Sequence, residues 1–197
     1  MSGKFGAIIL AAGAASRFGS PKQLLQIDGI PLIDRACQVA ADAASEPILR
    51  VLGAHADEIL ARPCPLGVMT EVYPDWRRGM GCSLAAGTRA LLAECPDPAG
   101  IFILLPDQPL VTADLLAEMR HQLAGPAISA VICGHHTLQG PPALFRPSRF
   151  AELLALTGDR GAKSIATRHP EQLATVQFPG VAQDIDTPEA WARFLSA

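Results

Sequence analysis

The sequence predicts an α/β fold with a mostly parallel sheet covered by helices on both faces, and three observations lead there. Short β-like apolar runs alternate with Ala/Leu-rich segments of helical period along the 197 residues. The runs are continuously apolar, as strands buried on both faces are. With 49% hydrophobic and 18% charged residues, the chain can also bury a full-sized core. Prolines and glycines are spread between elements and collect into no linker, so residues 1–197 are read as a single domain.

In chain order, strands are expected over 6–12, 47–52, 67–72, 100–105, 128–133 and 173–178. Helices are expected over 33–44, 56–61, 83–93, 112–124, 148–156, 161–168 and 188–195. Thr112 stands before "ADLLAEM", and Thr187 before Pro188, where a capping hydroxyl and a first-turn proline belong. No internal repeat is present. Trp76, Trp191 and Phe194 read as packing residues.

Composition excludes several roles. A net charge of −3 and a pI near 5.9 give no basic field for nucleic acid. Only Lys4 precedes the first short apolar run, and no run approaches the length of a membrane span. No signal peptide or membrane contact is therefore expected, and the location expected is cytoplasmic. Cys37, Cys64, Cys82, Cys95 and Cys133 show no CxxC spacing, and their odd number suits reduced, structural thiols. His135 and His136 lack a partner at zinc spacing and are placed on a loop before "GPPALF".

Ligands of open α/β sheets bind beyond the carboxyl ends of the strands. That rule points to residues 13–22, where Gly, Ala and Ser let a backbone come close to a ligand and Arg17 and Lys22 supply positive charge. The stretch suits an anion. It is not a P-loop, because five residues separate Gly13 from Gly19 and Ser20 follows. It is not GxGxxG either, since Ala15 occupies the second glycine position. A solvated strand-to-helix connection is the alternative.

"LAAGAASRFGSPKQLL" resembles the signature LAAGxSxRxGxxK of nucleotidyltransferases related to the molybdenum-cofactor enzymes. "PDWRRGMGCSLAAG", "LLPDQPLVT", "GPPALF...FAELLALTGDRGAK" and "DIDTPEAW" continue the match in order from about residue 6 to residue 192. The nearest group is the molybdenum cofactor cytidylyltransferases, because guanylyltransferase relatives typically carry "LAGG". The resemblance implies a three-layer α/β/α fold with a Rossmann-like sheet, of the nucleotide-diphospho-sugar transferase type. It implies Mg²⁺-dependent transfer of CMP from CTP to the phosphate of molybdopterin or molybdenum cofactor, with a molybdenum hydroxylase as possible client.

The same resemblance implies residue roles. Leu10, Ala11, Ala12 and Gly13 would line the nucleotide, Arg17 would hold its outer phosphates, and Lys22 would touch the α-phosphate. Gly81 and Ser83 would lie at the base and sugar, with Ser83 as an ordinary helix N-cap the alternative. Asp159 and Lys163 would lie on the acceptor side, or else form only a surface pair four residues apart.

Asp107 ends an apolar run beside the anion loop, where a nucleotide would repel it unless a cation such as Mg²⁺ sat between them. A turn in which Asp107 serves a backbone amide is the alternative. Asp184 and Asp186 are expected to diverge, one reaching the metal and the other capping a helix or facing solvent; Asp184 is preferred slightly. Pro141 stands where many such relatives carry His, which bears on the acceptor. Transfer to another phosphate acceptor, such as a sugar or methylerythritol phosphate, use of another NTP, or a non-catalytic cofactor carrier remain as alternatives.

Overall fold

The structure is a computed structural model and describes residues 3–196. The first strand, β1 (Phe5–Ala11), is buried along its whole length. A short hairpin of β2 (Gln26–Ile27) and β3 (Ile30–Pro31) leads into α1 (Leu32–Asp42). Then follow β4 (Ser45–Leu52), α2 (Ala56–Leu60), β5 (Val68–Val72), α3 (Met80–Glu94), β6 (Gly100–Leu104) and α4 (Ala113–Leu123). The last part holds β7 (Ala130–His135), β8 (Leu138–Phe145), α5 (Phe150–Leu154), α6 (Ala162–Ala166), β9 (Leu173–Gln177) and α7 (Pro188–Leu195).

Seven strands form one sheet in the order β5-β4-β1-β6-β8-β7-β9. Strand β8 runs against both β6 and β7, while the other neighbouring pairs are parallel. Alternate residues of β1 explain the layers. Phe5, Ala7, Ile9 and Ala11 pack with Ile33 and Cys37 of α1 and with Leu116 and Met119 of α4. Ile8 and Leu10 pack on the other face with Leu84 of α3, Leu153 of α5 and Ile165 of α6. The fold is therefore three-layered, α/β/α, with a mostly parallel sheet.

Local chemistry sets several boundaries. Thr112 Oγ1 accepts from Leu115 N–H at 3.3 Å and Thr187 Oγ1 from Ala190 N–H at 3.2 Å, so both predicted caps form. Helix α3 begins three residues before the expected start, behind Gly79, whose φ of +106° suits glycine; Ser83 thus sits inside the first turn and is not the cap. The segments expected over 148–156 and 161–168 are shorter helices, α5 and α6.

Strand β8 was not expected, because Gly140, Pro141 and Pro142 argue against a strand. It forms as a hairpin partner of β7, with His136 in the turn at φ +52°. The pairing passes from Ile132–Ala143 to Cys133–Gly140, so both prolines are bulged out of register and need donate no ladder bond.

The chain path places the site. It runs from β1 outward through β4 to β5, then returns to put β6 on the other side of β1. The ends of β1 and β6 thus meet at a reversal of strand order, where open sheets leave a crevice. No helix among the described residues is long and apolar enough to cross a membrane.

Candidate active site

A cavity of about 520 Å³ opens at that reversal. Its wall includes Leu10 through Arg17 from the end of β1 onward, Leu105 to Asp107 after β6, and Lys22 and Gln23 from the single helical turn that follows the loop. Trp76, Arg77, Gly79, Met80 and Ser83 approach from the start of α3, and Asp159, Asp184 and Asp186 complete it.

Charge is concentrated in one chain of contacts. Lys22 Nζ donates to Asp107 Oδ2 and, at 2.7 Å, to Asp186 Oδ1. Arg17 Nη2 donates to Asp186 Oδ2 at 2.8 Å, with its own side chain 72% exposed. Burial alone would lower the Lys22 pKa, but the Asp107 charge and the bonds to both carboxylates outweigh it and raise the value, keeping the ammonium charged. Burial likewise pushes Asp186 up, yet the bond from Lys22 and the charges of Lys22 and Arg17 hold it below the ordinary value. Asp184 differs. Burial drives it up to about 6, helped by the charges of Asp107 and Asp186 and opposed by a bond from Gln108 Nε2 at 3.0 Å.

The expected divergence of Asp184 and Asp186 is not found, since both line the cavity. Ile185 lies between them, 1% exposed, and its N–H donates to the Asp107 carbonyl at 2.9 Å. The segment turns tightly here, Asp186 N–H donating to the Asp184 carbonyl at 3.1 Å, and with Ile185 buried both carboxylates lie on the cavity side.

Three other expectations change. Gly81 is not part of the wall. Its N–H donates to the Gly158 carbonyl at 2.7 Å, and an added Cβ would lie 2.6 Å from the Arg160 carbonyl oxygen. Its absent side chain lets the 157–161 loop dock on α3, and that docking brings Asp159 to the cavity. Lys163 lies on α6, outside the wall, and makes no ion pair with Asp159 among the described residues. Trp76, read as packing, does touch the core but also lines the cavity, with the Arg77 guanidinium 4.4 Å above its ring. Gln23 escaped the sequence reading, although it adjoins Lys22.

The donors suit a hard divalent cation in kind. All are carboxylate oxygens, and Asp107 Oδ1 is buried without a hydrogen-bond partner. Among the described residues no group of three or more His, Cys, Asp or Glu side chains is gathered closely enough to hold a metal, and the Lys22 ammonium lies between two of these acids. Mg²⁺ is commonly held by one or two carboxylates together with substrate phosphates, so the set fits an ion that arrives with a nucleotide.

Residues 7–173 match the MobA-like NTP transferase domain. The chain belongs to that family. Among proteins similar to this MobA-like chain, a nicotine blue oxidoreductase of Paenarthrobacter nicotinovorans is 28% identical over 197 residues, 95% of each chain. A phosphoenolpyruvate guanylyltransferase of Mycolicibacterium gilvum is 33% identical over 163 residues, 81% of this chain and 66% of its own. Among solved structures, Rv0371c of Mycobacterium tuberculosis H37Rv superposes with a TM-score of 0.83 at 30% identity over 100% of both chains. A complex of Rv0371c with manganese superposes at 0.79 and 27% identity, again over 100% of both.

Proposed function

We propose that this protein is a metal-dependent nucleotidyltransferase that moves CMP from CTP to the phosphate of molybdopterin or its metal-loaded form, releasing pyrophosphate. The observation that supports it is the chain of contacts Arg17–Asp186–Lys22–Asp107 at the mouth of a small-residue loop. In this reading an acceptor phosphate oxygen forms a bond to the α-phosphorus as the bond to the bridging oxygen of the β-phosphate breaks. The electron pair leaves with pyrophosphate. The acceptor is already ionised, so the chain need supply no general base.

Lys22 leaves its carboxylates for the α-phosphate and meets charge that grows during displacement. Arg17, the more exposed cation, clasps the departing diphosphate with its planar fork. Asp107, with Asp184 or Asp186, would hold Mg²⁺, which when bound neutralises the triphosphate and makes the α-phosphorus more electrophilic. The loop from Leu10 to Gly13 and Ser83 would take the nucleotide, and Asp159 the acceptor side. Lys163, on α6 outside the cavity wall, is the second acceptor-side candidate.

A second reading changes the acceptor. Pro141 stands where the cytidylyltransferase resemblance leads one to expect His, and its carbonyl is taken by Gln108 Nε2 at 2.9 Å. A relative named for phosphoenolpyruvate fits a smaller phosphate acceptor on the same scaffold. A carrier without chemistry is disfavoured, since binding a cofactor needs no linked Arg17, Lys22 and Asp107.

The test is pyrophosphate release from each of the four NTPs with Mg²⁺, with and without molybdenum cofactor. Release from CTP alone and only with cofactor is expected. Equal rates with GTP remove the cytidylyl assignment, and cofactor binding without release from any NTP favours the carrier. Asp107→Ala should abolish release while the melting midpoint stays; full activity would refute a metal role for Asp107.

A further inference from the structure

We propose that Gln23 and His55 are positioning residues that preset the nucleotide loop by engaging its backbone carbonyls, leaving its amides free for phosphate. The inference rests on the reading of that loop as a phosphate site. Gln23 is 3% exposed and its Nε2 donates to the carbonyls of Ala11 at 3.1 Å and Gly13 at 3.0 Å. Between these, the Ala12 carbonyl accepts from Ala54 N–H at 3.1 Å. His55 Nε2 bonds the Ala14 carbonyl at 3.0 Å, and Ala15 accepts from the N–H groups of Phe18 and Gly19.

Every carbonyl from Ala11 to Ala15 is thus engaged. The amides of residues 13–17, by contrast, donate to no backbone carbonyl among the described residues. This asymmetry is what an anion needs, because carbonyl oxygens repel phosphate while free N–H groups attract it. Each peptide is planar and trans, so fixing a carbonyl also fixes the N–H that follows it.

Two details argue that the anchors are built for the loop. The Gln23 Oε1 atom is buried with no partner, so the amide keeps both its N–H bonds on the loop and leaves its own acceptor unsatisfied. His55 is itself oriented, since its Nδ1 bonds Glu58 Oε1 at 2.9 Å. With the opposite ring nitrogen facing Ala14, both partners are acceptors, so the ring donates to both at once only when each nitrogen carries a proton.

The experiment compares Gln23→Met and His55→Phe, which remove the donors, with His55→Gln, whose amide can reach the place of Nε2. Hydrogen–deuterium exchange of peptides covering residues 10–20 is followed in the free protein. Mn²⁺–CTP affinity is measured by titration without acceptor, and KM and kcat are measured with it. Both donor-removing variants should exchange at least tenfold faster at the hydrogen-bonded amides of this stretch, Phe18 and Gly19, and bind nucleotide at least tenfold more weakly, with KM raised and kcat within threefold. His55→Gln should stay within threefold of wild type in every readout. Wild-type exchange and affinity in His55→Phe, or a kcat loss at unchanged KM, would overturn the proposal. The His55 pair decides even if Gln23→Met does not fold. If the wild-type protein binds no NTP, the nucleotidyl-transfer reading falls, and the exchange arm still judges the anchoring.

Discussion

Lys22 sets the electrostatic balance of the cavity, because its one ammonium faces Asp107 and Asp186 while Arg17 faces only Asp186. Lys22→Met should therefore lower kcat by about 100-fold, the size expected for losing one donor to developing charge, and change nucleotide KM far less. Steady-state kinetics with CTP separate the two; an equal loss in KM at unchanged kcat would make Lys22 a binding residue only. Away from the cavity, Glu152 accepts from Arg149 at 2.8 Å and Arg168 at 2.6 Å. Burial pushes Glu152 up, but the Arg149 bond and the charges of Arg149, Arg168 and His169 pull it below the ordinary glutamate value. Its stabilisation is thus complete above that ordinary value and lost as pH falls through the lowered one. Glu152→Gln should cost about 1 kcal/mol or less at pH 7 and nothing at low pH, so melting midpoints of the two proteins should converge in acid. Arg17, Lys22 and Asp107 were legible in the sequence because short fixed spacings carry them to strand ends. Gln23 and His55 were not, because what distinguishes them is which carbonyls they meet after folding.

Among the elements, α3 illustrates how glycine shapes the site. Gly81→Ala would drive a methyl into the Arg160 and Gly158 carbonyls and push the 157–161 loop, with Asp159, off the helix. A loss of about 1–3 kcal/mol is expected from such overpacking, together with weaker acceptor use, measurable as a lower melting midpoint and a raised acceptor KM. Thr112→Ala removes a cap remote from the cavity and should cost about 1 kcal/mol without changing either KM, a control for plain destabilisation. Elements with long apolar period, such as β1, β6 and α4, were readable from the chain. Strand β8 was hidden because its prolines break local strand preference, and only pairing with β6 and β7 makes that backbone extended. The segments of α5 and α6 were overextended because proline-led 3₁₀ turns flank them, Pro147–Arg149 directly before α5 and Pro170–Gln172 after α6.

For the whole molecule, topology does what no single segment does. The return of the chain past β1 brings the ends of β1 and β6, the start of α3 and the Asp184–Asp186 segment to one crevice. Their order in sequence gave the inventory of that crevice, but not the inward turn of both late aspartates or the exclusion of Gly81 and Lys163 from its wall. The most direct measurement is an anomalous difference map from crystals grown with Mn²⁺ and the α,β-methylene analogue of CTP. A manganese peak coordinated by Asp107 and the analogue's phosphates, with Lys22 moved from the carboxylates to the α-phosphate, is the predicted result. Nucleotide and metal bound elsewhere, with Lys22 still paired to Asp107 and Asp186, would contradict it.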